Sequence, residues 1–188
     1  MDSQERRVAQ MVERSRGHAT RELIGHSYEN RSIWAVRFTG PGYKEGGTKI
    51  LLTFQLHARE WIAGMSGVYI TERLVKQMKD DPSWLTGIEI VVVPLVNPDG
   101  FVYSGTTDRM WRKNTHRYTN DLLEYCMGVD LNRNFPVDWN GTGSTSSDHC
   151  SDVYVGKGPA SEPEAQAVKG MIDESPLTLH IDYHSYSE

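Results

Sequence analysis

The sequence predicts an α/β fold with a mixed, mostly parallel sheet flanked by helices. Strand-like runs alternate with helix-length amphipathic stretches along the 188 residues, the pattern of βαβ units. The run Ile88 to Val93 is almost wholly β-branched, as expected of a strand buried on both faces. Polar, chemistry-bearing residues follow apolar strands at 55–61 and 184–186, where open α/β sheets place their ligands.

Each element has its own signal. Residues 2 to 16 set Val8, Met11, Val12 and Ser15 at helical spacing, and Gly17 stops the helix. Thr20 to His26 and Ser32 to Phe38 read as strands joined through Glu29-Asn30, hence a hairpin. Gly40 to Gly47 is a loop, and Lys49 to Phe54 the third strand. Trp61 to Lys79 is a helix, with apolar Val68, Ile70, Leu74, Val75 and Met78 and a stop at Asp81-Pro82. After Ile88 to Val93, Asn97-Pro98-Asp99-Gly100 turns the chain, and Ser104 to Asn120 reads as irregular. Residues 126 to 160 form a loop too long for mere connection, of the kind that carries function. Ser161-Glu162-Pro163-Glu164 reads as a capping box opening a helix to about Glu174. Leu177 to Tyr183 is the last strand, with His184-Ser185-Tyr186 at its carboxyl end. There is no internal repeat and no linker, so residues 1–188 read as one domain with a real core.

Composition narrows the partners. A net charge of −5 with no clustered basic surface argues against nucleic acid. No run of about 18 apolar residues is present to span a membrane. Met1 to Arg16 is charged throughout and lacks the apolar centre of a signal peptide. Cys126 and Cys150 are open to three readings: free thiols, one disulfide, or unrelated residues. Asn30-Arg31-Ser32 and Asn140-Gly141-Thr142 are glycosylation sequons, relevant to a secreted chain.

The stretch Gln55 to Trp61 holds an imidazole at His57 and a carboxylate at Glu60. Side chains three apart in a tight or helical turn share a face and can grip one ion. Catalytic zinc takes three protein ligands and leaves a position open. By itself the pair is weak evidence, since a surface ion-pairing turn has the same spacing. A sheet that brings the ends of two strands to one edge places His184 beside them, which supplies a third ligand distant in sequence.

The motifs in order carry a resemblance. His57-Ala58-Arg59-Glu60-Trp61, Asn97-Pro98-Asp99-Gly100-Phe101, Arg109-Met110-Trp111-Arg112-Lys113, Gly128 to Asn134 and His184-Ser185-Tyr186-Ser187 together resemble the zinc metallocarboxypeptidases of the carboxypeptidase A/B type. The agreement runs from about residue 20 to the end. It implies one Zn²⁺ per chain held by His57, Glu60 and His184, a ligand set for which carboxypeptidase A is itself a standard instance. It implies that Asp130 orients the first histidine. Arg112 is implied as the catalytic residue that stabilises a developing oxyanion. Asn132 and Arg133 are implied to hold the free C-terminal carboxylate of a peptide, and Arg59 and Tyr186 to line the substrate cleft. It also implies a disulfide between Cys126 and Cys150 and a secreted, extracellular protein.

On that resemblance the expected function is zinc-dependent removal of single residues from peptide C-termini. The family continues past the third ligand, and its general-base glutamate and substrate-capping tyrosine lie in that further part. The sequence stops at Glu188, so the expectation is the N-terminal and central portion of a catalytic domain that binds zinc yet hydrolyses peptides poorly. Its last strand is expected to lack a neighbour. Two rival readings are a catalytically silent module that binds zinc and peptide C-termini, and an amidohydrolase acting on acylated amino acids. Arg112 with Asn132-Arg133 speaks against the second.

Overall fold

Apolar residues alternate along the strands, and that alternation decides which helix covers which face of the sheet. The computed structural model describes residues 3–117, 126–141 and 143–185. The strands are β1 (Thr20–His26), β2 (Ser32–Thr39), β3 (Thr48–Phe54), β4 (Ile88–Val93) and β5 (Leu179–Tyr183). The helices are α1 (Ser3–Arg14), α2 (Trp61–Asp80), α3 (Pro98–Thr106) and α4 (Pro163–Glu174), with short 3₁₀ turns at Pro82–Leu85 and Leu131–Arg133.

The sheet order is β1-β2-β4-β3-β5. β2 pairs antiparallel with β1 and β4, whereas β3 pairs parallel with β4 and β5. β2 alone therefore runs against the other strands. Val36, Phe38, Leu52, Phe54 and Val92 point to one face, where Val8 and Met11 of α1 and Val68, Val75 and Met78 of α2 cover them. Ile33, Ala35, Leu51, Val91 and Val93 point to the other, against Ala167, Val168 and Met171 of α4. Full burial of one such side chain stabilises by roughly 1.5–3 kcal/mol. The α4 contact is close: a Cβ on Gly25 of β1 would lie 2.9 Å from the Ala167 Cβ.

Three local expectations are revised. The Asn97 turn opens helix α3, because Asn97 accepts from the Gly100 backbone N–H at 2.9 Å and Pro98 fits the first turn. The helix extends through Ser104 to Thr106, into the segment read as irregular; its small and polar residues hide the period. At the start of α4 the residue before the helix is Glu162, and it makes no side-chain cap. Its carboxylate is instead taken by Asn114 and His116, and Ser161 donates to it at 2.8 Å. The last strand begins at Leu179 instead of Leu177. It forms one edge of the sheet among the described residues, with Leu179 and Ile181 exposed.

Candidate metal centre

β3 ends at Phe54, and the chain must turn at once to present His57. It does so through Gln55, a non-glycine residue at φ 60°, a conformation that ordinarily costs on the order of 1–3 kcal/mol. The buried Gln55 amide offsets this by donating from Nε2 to the carbonyls of His57 at 3.1 Å and Ala58 at 2.9 Å. Those carbonyls belong to a turn outside the sheet ladder, where the Glu60 backbone N–H at 3.3 Å and Ser104 Oγ at 3.1 Å also donate to them. The amide fits because residue 64 on α2 is glycine: a Cβ there would sit 2.0 Å from Gln55 Oε1. Gly64→Ala is therefore expected to destabilise by about 1–3 kcal/mol. Thermal unfolding reads this, and an unchanged midpoint would show that the turn repacks freely. Asn97 ties the same turn to the rest of the chain, donating to Leu56 O at 2.9 Å and Lys113 O at 3.1 Å.

Three donors meet above this turn. Glu60 Oε1 lies 2.8 Å from His57 Nδ1, and Glu60 Oε2 lies 2.9 Å from His184 Nδ1. The candidate ligand atoms of His57, Glu60 and His184 lie within 4.8 Å of one another. His57 and Glu60 are buried; His184 is more open. The Ser185 backbone N–H also donates to Glu60 Oε2, at 3.1 Å.

Behind His57 stands Asp130, fully buried. Its Oδ1 accepts from His57 Nε2 at 3.1 Å and from the Asn132 backbone N–H at 3.0 Å. Its Oδ2 accepts from Arg112 Nε at 3.1 Å and Nη2 at 3.0 Å. Burial works against charge on both Glu60 and Asp130. Hydrogen bonds from His184 and His57 outweigh it at Glu60 and hold that carboxyl below the usual carboxylate range. The bond from His57, with the Arg112 charge, does the same for Asp130. The carboxylates of Asp182 and then Glu60 push the His184 imidazole up to about 9.

This donor set fits a divalent cation. Asp130 and Glu60 flank the His57 ring, one at each nitrogen. Asp182 and Glu60 flank the His184 ring in the same way. A cation would take the place of the protons between the two Nδ1 atoms and the Glu60 carboxylate. Two nitrogens and a carboxylate are a donor set suited to zinc.

Arg112 and Asn132 join this network, Asn132 through a 3.3 Å contact between its Nδ2 and His184 Nε2. Arg133 stands next in the chain, but its guanidinium is engaged by the carbonyls of Ser144 at 3.0 Å and Asn132 at 3.2 Å. Arg59 is held by the Met110 carbonyl at 3.1 Å and by Asp152 at 3.5 Å. Cys126 and Cys150 are bridged, closing the loop that carries Asp130, Asn132 and Arg133. Tyr186, expected to line the cleft, lies outside the described residues.

Sequence reasoning missed Asp182, Thr53, His180 and Gln55. Asp182 had a legible signal: it stands two residues before His184, so strand alternation puts both on one face. Gln55 had none, because nothing in its neighbours announces a left-handed backbone.

A family model described as zinc carboxypeptidase matches residues 6–188. A metallocarboxypeptidase A-like protein of Trichophyton verrucosum is 38% identical over 168 residues, covering 87% of this chain and 39% of its own length. Carboxypeptidase A4 of Mus musculus is 37% identical, covering 90% of this chain and 40% of its own. The chain thus spans well under half the length of these relatives. The crystal structure of carboxypeptidase A from Helicoverpa armigera superposes with a TM-score of 0.80 at 31% identity, covering 96% of this chain and 44% of that one. Bovine thrombin-activatable fibrinolysis inhibitor, solved with a tick carboxypeptidase inhibitor, gives 0.82 at 31% identity, covering 96% and 58%.

Proposed function

Because the chain belongs to the zinc carboxypeptidase family, we propose that His57, Glu60 and His184 hold one zinc ion in a metallocarboxypeptidase that hydrolyses the C-terminal peptide bond of peptides and proteins. The observation that carries this reading is the convergence of two imidazole Nδ1 atoms on the two oxygens of one carboxylate. Residues 1–188 are then part of its catalytic domain, and the bridged cysteines support a secreted protein. Among the described residues no helix is long and apolar enough to cross a membrane.

Zinc, when bound, supplies Lewis acidity toward a carbonyl oxygen and toward water. The rest of the chemistry belongs to the chain. His57 and His184 would present Nδ1 to the metal and Glu60 its carboxylate, which the two imidazoles hold ionised in the metal-free chain. Asp130 holds the Nε2 proton of His57, so the tautomer with a free Nδ1 is selected. Arg112, fixed through Nε and Nη2 on Asp130, keeps its positive charge beside the centre, where negative charge grows on a substrate oxygen. Asn132 and Arg133 take the terminal carboxylate, the guanidinium exchanging its backbone carbonyls for a bidentate anionic partner.

Metal analysis and peptide binding test this together. Close to one zinc per chain is expected, lost in His57→Ala. A peptide ending in a free acid is expected to bind at least about tenfold tighter than its C-terminal amide, a difference of about 1.4 kcal/mol. Stoichiometric zinc in both His57→Ala and His184→Ala would end the metal assignment. Equal affinity for acid and amide would end the carboxylate assignment.

A further inference from the structure

His57 has a carboxylate partner that the motif resemblance implies, but His184 has one that no motif announces. Asp182 Oδ2 lies 2.6 Å from His184 Nε2. Asp182 belongs to β5 and pairs directly with Thr53 of β3 in the parallel register. That pairing sets Thr53 Oγ1 2.8 Å from Asp182 Oδ1, as donor. Thr53 is fully buried, so its hydroxyl proton has few places to go.

Thr53 Oγ1 also lies 2.9 Å from His180 Nε2. One hydroxyl carries one proton, and it is spent on Asp182, so His180 must be the donor at this contact. Strand alternation puts positions 180 and 182 of β5 on one face, which is why a single threonine on the neighbouring strand reaches both. The result is a directed chain of hydrogen bonds: His180 Nε2–H to Thr53 Oγ1, Thr53 Oγ1–H to Asp182 Oδ1, and Asp182 Oδ2 accepting from His184 Nε2–H.

We propose that Asp182, held by Thr53, is a positioning residue that fixes the tautomer and ring orientation of His184 and so strengthens its Nδ1 as a metal ligand. The inference rests on the zinc reading of the site. With the Nε2 proton held by Asp182, Nδ1 is the nitrogen that would give up its proton to a metal, on the side where Glu60 Oε2 lies 2.9 Å away. The Asn132 amide cannot donate to an Nε2 that already carries a proton. Its 3.3 Å approach to that atom is therefore a packing contact, or is made by the amide oxygen after a flip. The 2.6 Å carboxylate contact is the one that selects the tautomer. The two ligand histidines are then supported alike but from different elements: Asp130 from the loop before the Leu131–Arg133 turn, Asp182 from the sheet itself. A carboxylate behind a metal-bound imidazole typically changes metal affinity by about 10–100-fold.

The experiment measures zinc affinity by competition with a chromophoric chelator, and the visible spectrum of the cobalt(II)-substituted protein. It compares the full 188-residue chain with Asp182→Asn, Asp182→Ala and Thr53→Val. Asp182→Ala is expected to lose about 10–100-fold in affinity and to shift the cobalt bands. Asp182→Asn, which keeps shape and an acceptor but loses the charge, is expected to fall between, and Thr53→Val to weaken binding in the same direction by less. Far-UV circular dichroism of the metal-free proteins reports folding, and if Asp182→Ala fails to fold the isosteric Asn variant decides. A wild-type chain that binds no zinc overturns the reading of the site. A wild-type chain that binds zinc while the folded Asp182 variants bind within about twofold of it, with an unchanged cobalt spectrum, overturns this inference alone.

Discussion

Asp130→Ala is expected to cost about 3–5 kcal/mol of stability, because it breaks a buried charged network by removing its shared acceptor. Asp130 is fully buried and accepts from His57 Nε2, from two nitrogens of Arg112 and from the Asn132 backbone N–H. Alanine leaves a guanidinium mostly withdrawn from water and an imidazole, both without the carboxylate that compensates them. The same change frees the His57 ring to adopt either tautomer, and a further loss of about 10–100-fold in metal affinity is expected. Asp130→Asn keeps an acceptor of the same shape and should cost markedly less in stability while still lowering metal affinity. Urea unfolding of the metal-free proteins isolates the first effect, and zinc competition the second. If Asp130→Ala unfolds at the wild-type urea midpoint, the network contributes nothing net and Arg112 has found another partner.

The second large effect concerns pH. Glu164, in the first turn of α4, is fully buried. Its Oε1 accepts from the Tyr28 backbone N–H at 3.0 Å, and its Oε2 from Asn114 Nδ2 at 3.1 Å. The same Asn114 amide donates to Glu162 at 2.8 Å, so two carboxylates share one donor. Burial, and then the nearby Glu162 charge, push the Glu164 carboxyl up to about 7. A raised pKa means that the folded chain keeps a proton which the unfolded chain releases at about 4.5. The contribution of this group is therefore fully present below about pH 4.5 and is lost as pH rises through about 7. A shift of that size corresponds to on the order of 3 kcal/mol. Glu164→Gln, which is neutral at every pH and keeps an acceptor for Tyr28, should be the more stable protein at pH 8, with the difference shrinking toward pH 4.5. Denaturant titrations of both proteins across that range measure the difference directly. Parallel pH profiles for wild type and Glu164→Gln would show that Glu164 has the same pKa in the folded and the unfolded chain.

The pairing of Glu162 with Glu164 is not legible along the chain. Ser161-Glu162-Pro163-Glu164 has the spacing of a capping box, and the helix does begin there, at Pro163. The side chains nevertheless serve other partners, because Asn114 and His116 arrive from a loop distant in sequence. Helix α3 is a similar case. Asn97-Pro98-Asp99-Gly100 reads as a turn, and the helix that it opens runs through Ser104 to Thr106, where small and polar residues carry no period of their own.

What the sequence by itself determined is the set of strands, their outward-facing ends, and the chemistry waiting there. Alternation in β2, β3 and β4 sorts their side chains onto two faces without reference to anything else. The β-branched run of Ile88–Val93 marks a central strand, and the structure places it between β2 and β3. His57 and Glu60 are legible as a donor pair because three residues in a turn always bring two side chains to one side. What only the tertiary structure decided is which distant groups complete them. The parallel registration of β5 on β3 puts Phe54 opposite Tyr183, and so brings His184, one residue further on, to the turn that follows Phe54. The same registration sets Thr53 against Asp182 and gives His184 its carboxylate. Gln55 could bend the turn only because residue 64, on the following helix, lacks a side chain. Sequence carries periodicity along one element; register between elements is set by the cores on both faces of the sheet, and metal-ligand geometry is a property of register.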